Sequence, residues 1–549
     1  MKILLLVTAF NSQTQAVYTK LKDAKHKVSV CFNRDEKQTL KEIENFEPEL
    51  ILCPYLKSYL SSKIYETYPV YIFHPGPRGD RGPHSLEHAL ASHNKKWGLV
   101  VLRANSLYDG GNIYAQQSFD VRDTYKASLY RKEIVRASLN ALDTLLENIK
   151  NDNFVEQELN PIHEKVSQED KTINWSTDTT QRIIEKIYLC DSLPGVLDEI
   201  LGLPCYLYGA HKEEKLQGKS KEILAKRDGA ICLGTIDGAL WISHLKEING
   251  FKLPATYVLK EKLQGIKEER LALIFEKNYA TFYELSVQIR ENVAYLHFNF
   301  HNGAMHTAQC IRLKYAIEYL KTQYDVLVLM GGEDFFSNGI HLNILEDSQK
   351  QGEDGWANIN AMNDVVRAIL YADEVVTVAS FSTNAGAGGV FMGIACDYAV
   401  GEEGVVLNPH YKTLGLSGSE YHTYTLPKRV GKVIANKLLN ECLPISVTQA
   451  KSLGMIDEVF THTEYLESLH SFALSKYNDE FLWDKEEFLE ENKATIEALK
   501  EKELEVMHPE FWDTQSAFHS LRYEFVYKIC PIHTPSRLKL KSIKDEKNA

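Results

Sequence analysis

The sequence predicts an α/β multidomain protein, and three patterns carry that expectation. Residues 1–120 alternate apolar runs with amphipathic stretches, the signature of a doubly wound, mostly parallel sheet. Residues 205–246 break into short strands separated by glycine turns, as in a small β-barrel. Residues 290–460 return to strand–helix alternation, but there the apolar strands run into glycine clusters. A chain of 549 residues has room for about two to four domains.

The net charge of −13 argues against a nucleic-acid surface, which needs a basic patch. Nine cysteines stand singly with no CxxC pair, a pattern of reduced thiols rather than a disulfide framework or a zinc site. No metal is therefore expected. No apolar run is long enough to span a bilayer. Met1-Lys2-Ile3-Leu4-Leu5-Leu6-Val7 is followed by polar Asn11-Ser12-Gln13 without a small-residue cleavage site, so it reads as a first strand and not a leader. The expectation is a soluble, cytoplasmic protein.

Strands are expected at Lys2–Thr8, Lys27–Phe32, Glu49–Pro54, Val70–His74 and Leu99–Leu102, with helices at Thr14–Ala24, Lys37–Glu44 and Ser85–Ser92. The long amphipathic run Ser128–Asn148 closes the domain as a helix. The region is organised around residues 73–89, FHPGPRGDRGPHSLEHA. A buried strand delivers His74 to its carboxyl end, a glycine- and proline-rich loop follows, and a helix begins. Open α/β sheets bind ligands at such places. A plain strand–helix connection with an exposed His74 would look the same in this window. Asn11 and Gln15 follow the first strand and would face the same crevice. Asp109, ahead of Gly110-Gly111, is ordinary turn chemistry alone, but beside His74 it would orient the imidazole and keep it basic.

These residues resemble the folate-dependent formyltransferases. The matching parts are His74 in an HP loop, the RG-P-L-A helix start, and Asp109 in a D-G-G-x-I hairpin. The resemblance implies binding of 10-formyltetrahydrofolate, with His74 and Asp109 catalytic. The family's asparagine, two positions before the histidine, is Ile72 here. Losing one oxyanion donor typically costs about 10²–10³ in rate, so another donor, or an acceptor needing less help, is implied. Thr172-Ile173-Asn174-Trp175 is similar to the opening of the second formyltransferase domain, and Lys260–Arg270 reads as a charged helical connector.

In the second half, Val293–Phe300 and Asp325–Met330 are expected strands, His306–Lys321 and Val390–Ala395 helices. Phe336-Ser337-Asn338-Gly339-Ile340-His341-Leu342, then Ala385-Gly386-Ala387-Gly388-Gly389, and later Leu414-Gly415-Leu416 resemble the crotonase (enoyl-CoA hydratase) superfamily. The match implies that the amides of Ile340 and Gly388 grip a CoA thioester carbonyl. Both hydratase glutamates are replaced, by Phe391 and His410, so hydration of a double bond is not expected. Tyr411 and Glu420 remain as the pair for proton handling. A buried carboxylate has a raised pKa and serves near neutrality. His422, Tyr421 and Tyr424 read as an aromatic core stripe. The tail opens as a charged helix, Lys485–Val506, and ends in the basic stretch Arg537–Lys541.

A formyltransferase half joined to a crotonase half, with both departures, resembles the HypX (HoxX) hydrogenase maturation family. FHPGPRGDRGP, Phe300-His301-Asn302-Gly303-Ala304-Met305, Asn408-Pro409-His410-Tyr411 and Gly418-Ser419-Glu420-Tyr421 carry the resemblance. It implies four regions: a formyltransferase-like domain at 1–155, a formyltransferase C-terminal-like β domain at 160–260, a crotonase-like CoA-binding α/β spiral at 285–470 and a helical tail at 475–549. Tetrahydrofolate and CoA are the implied cofactors, held by Asn11, Gln15, Ile72, Gly76, Arg131, Ile173, Ser192, Gly339 and Arg537. The implied work is synthesis of the carbon monoxide ligand of the nickel–iron hydrogenase iron, by formyl transfer to CoA and decarbonylation of formyl-CoA. Partners would be the maturation proteins that assemble the iron centre, with no nucleic acid and no membrane. Hydrolysis of formyl-CoA to formate, or a non-catalytic folate- and CoA-sensing scaffold, stay open.

Overall fold

In the computed structural model, residues 1–193, 195–274 and 278–540 are described. They divide into two units. One holds the chain up to Arg270, a short return ending at Phe282, and the segment from Cys530 onward; the other holds Tyr283–Ile529.

The first unit begins with a six-stranded sheet in the order Lys27–Phe32, Lys2–Val7, Leu50–Cys53, Val70–His74, Lys96–Arg103, Ile113–Asp120. The first four strands run parallel and the last two antiparallel. Lys2–Val7 is buried after its first residue, as a central parallel strand must be. The strand Ile113–Asp120 was not expected. Its outer half alternates exposed and half-buried positions, so its apolar signal is short. The expected helix Ser128–Asn148 is broken into Lys126–Leu129, a π-turn Tyr130–Ile134, and Val135–Asn151. Such wide turns recur at functional sites, and Arg131 lies in this one.

A second, antiparallel sheet follows in the order Val196–Ile200, Leu203–Glu213, Ala239–Glu247, Ala230–Gly234, Ile223–Arg227. Its core joins Leu207, Ile231, Leu240 and Ile242 to Ile183 and Ile187 of the helix Thr180–Cys190. Among the described residues no pairing joins the first strand to the last, so the barrel-like sheet stays open. Lys260–Arg270 is not a helical connector. A single 3₁₀ turn, Lys260–Leu263, ends before Gly265, whose φ of +83° leaves the helical region. The segment from Cys530 returns to the first sheet, where Thr534 Oγ1 accepts from Phe32 N at 2.8 Å and Lys539 pairs with Glu42 at 2.8 Å. Lys541, the end of the basic stretch, lies outside the described residues.

The second unit is a spiral. Its main sheet orders Leu285–Arg290, Val293–Phe298, Val326–Gly331, Val376–Phe381, Tyr398–Glu402 and Glu458–Phe460, parallel after the first pair. Successive turns add short strands to a smaller sheet, Phe335–Ser337, Asn384–Gly386, Val406–Asn408, Ile445–Ser446. The charged tail helix is longer than expected, Asp479–Trp512, and is followed by Ala517–Val526.

Candidate active sites

His74 ends the strand Val70–His74 and is buried at 5 % exposure. It is not the solvent-exposed residue of a plain connection. Its Nε2 lies 2.7 Å from Asp80 Oδ2, and its Nδ1 lies 3.6 Å from Asp109 Oδ2. The carboxylate within hydrogen-bond reach is thus Asp80, while Asp109 stands slightly beyond it. Asp109 has φ of +47° and accepts from Gly82 N at 3.1 Å, fastening the hairpin to the loop. Burial by itself would raise the Asp80 carboxyl; the hydrogen bond and charge of His74, with Ser85 and His163, hold it below the ordinary range. Gly76 explains part of the loop composition. A Cβ there would stand 2.1 Å from Asp80 Oδ2 and 2.6 Å from His74 Nε2.

Asn11 and Gln15 each make a local hydrogen bond. Asn11 Oδ1 accepts from Thr14 N at 3.0 Å as a helix cap, and Gln15 Nε2 donates to Phe10 O at 3.0 Å. Ile72 packs half-buried against the first sheet's core, so an apolar group occupies the position of the family's asparagine. Ile173 is a core residue of the second sheet. Ser192 is exposed with φ of +86°, next to Asp191, which pairs with Lys252 at 3.2 Å. Burial lowers the Lys252 pKa against the pull of Asp191, and the charge of Arg131 lowers it further. Arg131, Ser192 and Lys252 therefore gather in one neighbourhood. Arg537 is half-buried in the segment that returns to the first unit.

In the second unit Gly339 and Gly388 bring the two glycine loops together. Gly339 has φ of +80°, and a Cβ on it would sit 3.4 Å from Gly388 N. Ile340 follows in its short strand, and Gly388 opens the helix Gly388–Ile394. A Cβ on Gly388 would meet Glu420 Oε1 at 2.7 Å, so the Glu420 carboxyl packs against Gly388. Glu420 is 1 % exposed. Tyr411 Oη donates to Glu420 Oε2 at 2.6 Å and lies 3.0 Å from Ser419 O. Burial raises the Glu420 pKa, against the hydrogen bond from Tyr411. Burial and the Glu420 charge drive the Tyr411 phenol well up.

The pair is held at a backbone cost. Glu420 and Tyr421 have φ of +61° and +55°, a region uncommon for such side chains and frequent at functional sites. Glu420 N donates to Asn363 Oδ1 at 2.9 Å. Phe391 stacks on Tyr411 with ring centres 5.0 Å apart. His422, read as core, does pack edge-on against both rings, and its Nδ1 also faces Glu503 at 3.3 Å. Burial by itself would lower the His422 pKa, but Glu503 raises it overall.

Sequence reading missed Asp80, His163 and Glu503. Asp80 stood inside the quoted loop, and an acid among its glycines was a usable signal. His163 and Glu503 reach their partners across 83 and 80 positions, to Asp80 and Thr423, which no local pattern reveals.

Residues 165–263 match the family of the formyl transferase C-terminal domain, and residues 288–519 match enoyl-CoA hydratase/isomerase. The hydrogenase maturation factor HoxX of Bradyrhizobium diazoefficiens is 32 % identical, over 97 % of this chain and 96 % of its own. The crystal structure of HypX from Aquifex aeolicus in complex with tetrahydrofolic acid superposes with a TM-score of 0.95 and 38 % identity, over 98 % of both chains. A variant of that Aquifex protein superposes with a TM-score of 0.94, also over 98 % of both chains.

Proposed function

The chain belongs to the HypX (HoxX) family of hydrogenase maturation factors, and on that premise we propose that it makes the carbon monoxide ligand of the nickel–iron hydrogenase iron. The first unit carries formyl transfer from 10-formyltetrahydrofolate to the CoA thiol; tetrahydrofolate is the ligand held by the Aquifex relative. His74 supplies the proton that the leaving nitrogen needs from Nδ1, the ring nitrogen near which Asp109 stands at 3.6 Å. A thiolate is a strong nucleophile, which lessens the demand for the oxyanion donor that Ile72 replaces.

The second unit carries decarbonylation. The amides of Ile340 and Gly388 would hold the formyl oxygen. Glu420, in its ionised form, takes the formyl hydrogen as the C–H and C–S bonds break, and returns that proton to the departing CoA sulfur. Tyr411 holds Glu420 in place through its 2.6 Å hydrogen bond. Phe391, stacked on Tyr411, keeps out the water that would turn formyl-CoA into formate. The missing Cβ of Gly388 leaves room beside the Glu420 carboxyl, which supports placing the CoA thioester there.

The observation that carries the reading is the buried Glu420–Tyr411 pair bordering Gly388, with Phe391 and His410 where a hydratase would carry its two glutamates. The test supplies 10-formyltetrahydrofolate and CoA anaerobically and traps CO with a haemoprotein. CO in step with tetrahydrofolate release is expected. Formate without CO would mean hydrolysis, and ligand binding without either product would mean a scaffold. The proteins that assemble the iron centre are the proposed recipients.

A further inference from the structure

The two ring nitrogens of His74 meet different surroundings. Nε2 is hydrogen-bonded to Asp80 at 2.7 Å, whereas Nδ1 is 3.6 Å from Asp109, a gap rather than a bond. Behind the tight side, Asp80 Oδ1 lies 2.6 Å from His163 Nε2. The side chain of Asp80 is 4 % exposed and that of His163 is 32 % exposed. A single carboxylate and a single imidazole therefore lead from the buried His74 to solvent. His163 is fixed by its own backbone, whose N–H donates to Arg81 O at 2.9 Å. Its ring stacks on His88 with centres 4.3 Å apart, and His88 Nε2 lies 2.9 Å from Glu164 O. The missing Cβ of Gly76 keeps room for the Asp80–His74 contact.

We propose that Asp80 and His163 form a proton relay that connects His74 Nε2 with bulk water and leaves the Nδ1 side for the reacting group. The proposal rests on the folate-to-thiol reading above. In the transfer step a C–S bond forms as the C–N10 bond breaks, and N10 takes a proton from His74 Nδ1. His74 regains a proton on Nε2 from water, through His163 and Asp80. The sulfur enters as a thiol: its proton passes to His74 Nδ1 and the Nε2 proton leaves through Asp80 and His163, so the starting tautomer and the proton count are both restored. Asp80 and His163 act through His74 and are positioning and relay residues. The ionisable groups that face them are His74, with Asp109 beyond it, the stacked His88, and the more distant Tyr130.

Two measurements test it. Formyl transfer by the full-length protein is followed in the wild type, His163→Ala and His163→Gln, across pH and with added imidazole. His163→Ala should lower kcat about tenfold to a hundredfold with KM for the folate unchanged, alter the acid limb of the pH profile, and recover with imidazole. Asp80→Glu should retain more activity than Asp80→Asn. Unchanged kcat in His163→Ala, or a loss that imidazole does not repair, overturns the relay. Imidazole ¹⁵N NMR needs no turnover: at fixed pH, Asp80→Asn should move the Nε2 resonances of both His74 and His163. Resonances that Asp80→Asn leaves unmoved overturn the relay even where turnover is present. Linked resonances without any folate turnover would support the relay and refute the assigned substrates.

Discussion

Asp80 and Glu420 are both carboxylates removed from water, at 5 % and 1 % exposure, yet they are driven in opposite directions. Asp80 lies between two imidazoles, which overcome the cost of burial and keep it ionised to lower pH. Glu420 has a phenol as its closest partner and a second buried carboxylate, Glu503, in its field, so burial prevails. Depth alone sets neither state; the charge of the partner does. On the proposed chemistry, the first site holds and delivers protons and the second takes one.

The contrast is broken most directly by His74→Ala. Formyl transfer should fall about 10²–10⁴-fold, while formyl-CoA supplied ready-made still yields CO. Tetrahydrofolate release and haemoprotein trapping, assayed separately, check this. Glu420→Gln should do the converse, with CO release lowered about a hundredfold or more and tetrahydrofolate release retained. Loss of both activities in either variant would mean that the two sites do not divide the chemistry.

Smaller effects sharpen the comparison. Tyr411→Phe removes the hydrogen bond to Glu420 Oε2 and should cost about 1–3 kcal/mol of unfolding free energy, read by denaturant titration, with CO release slowed about tenfold. The smallest effects are in the pH dependence of stability. The depressed Asp80 stabilises above its ordinary 3.8, and that gain is lost as pH falls through its lower folded value. The raised His422 stabilises below its ordinary 6.5, and that gain is lost as pH rises through its higher folded value. The stability gap between wild type and Asp80→Asn should therefore close towards acid, and that between wild type and Glu503→Gln towards alkali. Denaturant midpoints across pH measure both.

Several features were legible before any coordinates. The strand–loop–helix around His74, the glycine pair that brings Gly339 against Gly388, and the Tyr411–Glu420 pair all sit in short local patterns. Glycine signals them because a close approach or a positive φ leaves no alternative, as at Gly76 and Gly339. The edge strand Ile113–Asp120 was hidden by its polar outer half, and the π-turn Tyr130–Ile134 by its helix-like composition. Thr534 on Phe32 joins residues 502 positions apart, beyond the range of any periodicity.

By itself, then, the sequence determined the two α/β regions, the antiparallel sheet between them in the chain, and the local patterns that hold His74, Gly339, Gly388, Tyr411 and Glu420. Only the tertiary structure decided which carboxylate touches His74, that His163 meets the far side of that carboxylate, and that Glu503 backs His422. The reason is physical. Backbone periodicity and glycine stereochemistry act over a few residues, whereas protonation is set by desolvation and by charges that arrive from distant parts of the chain.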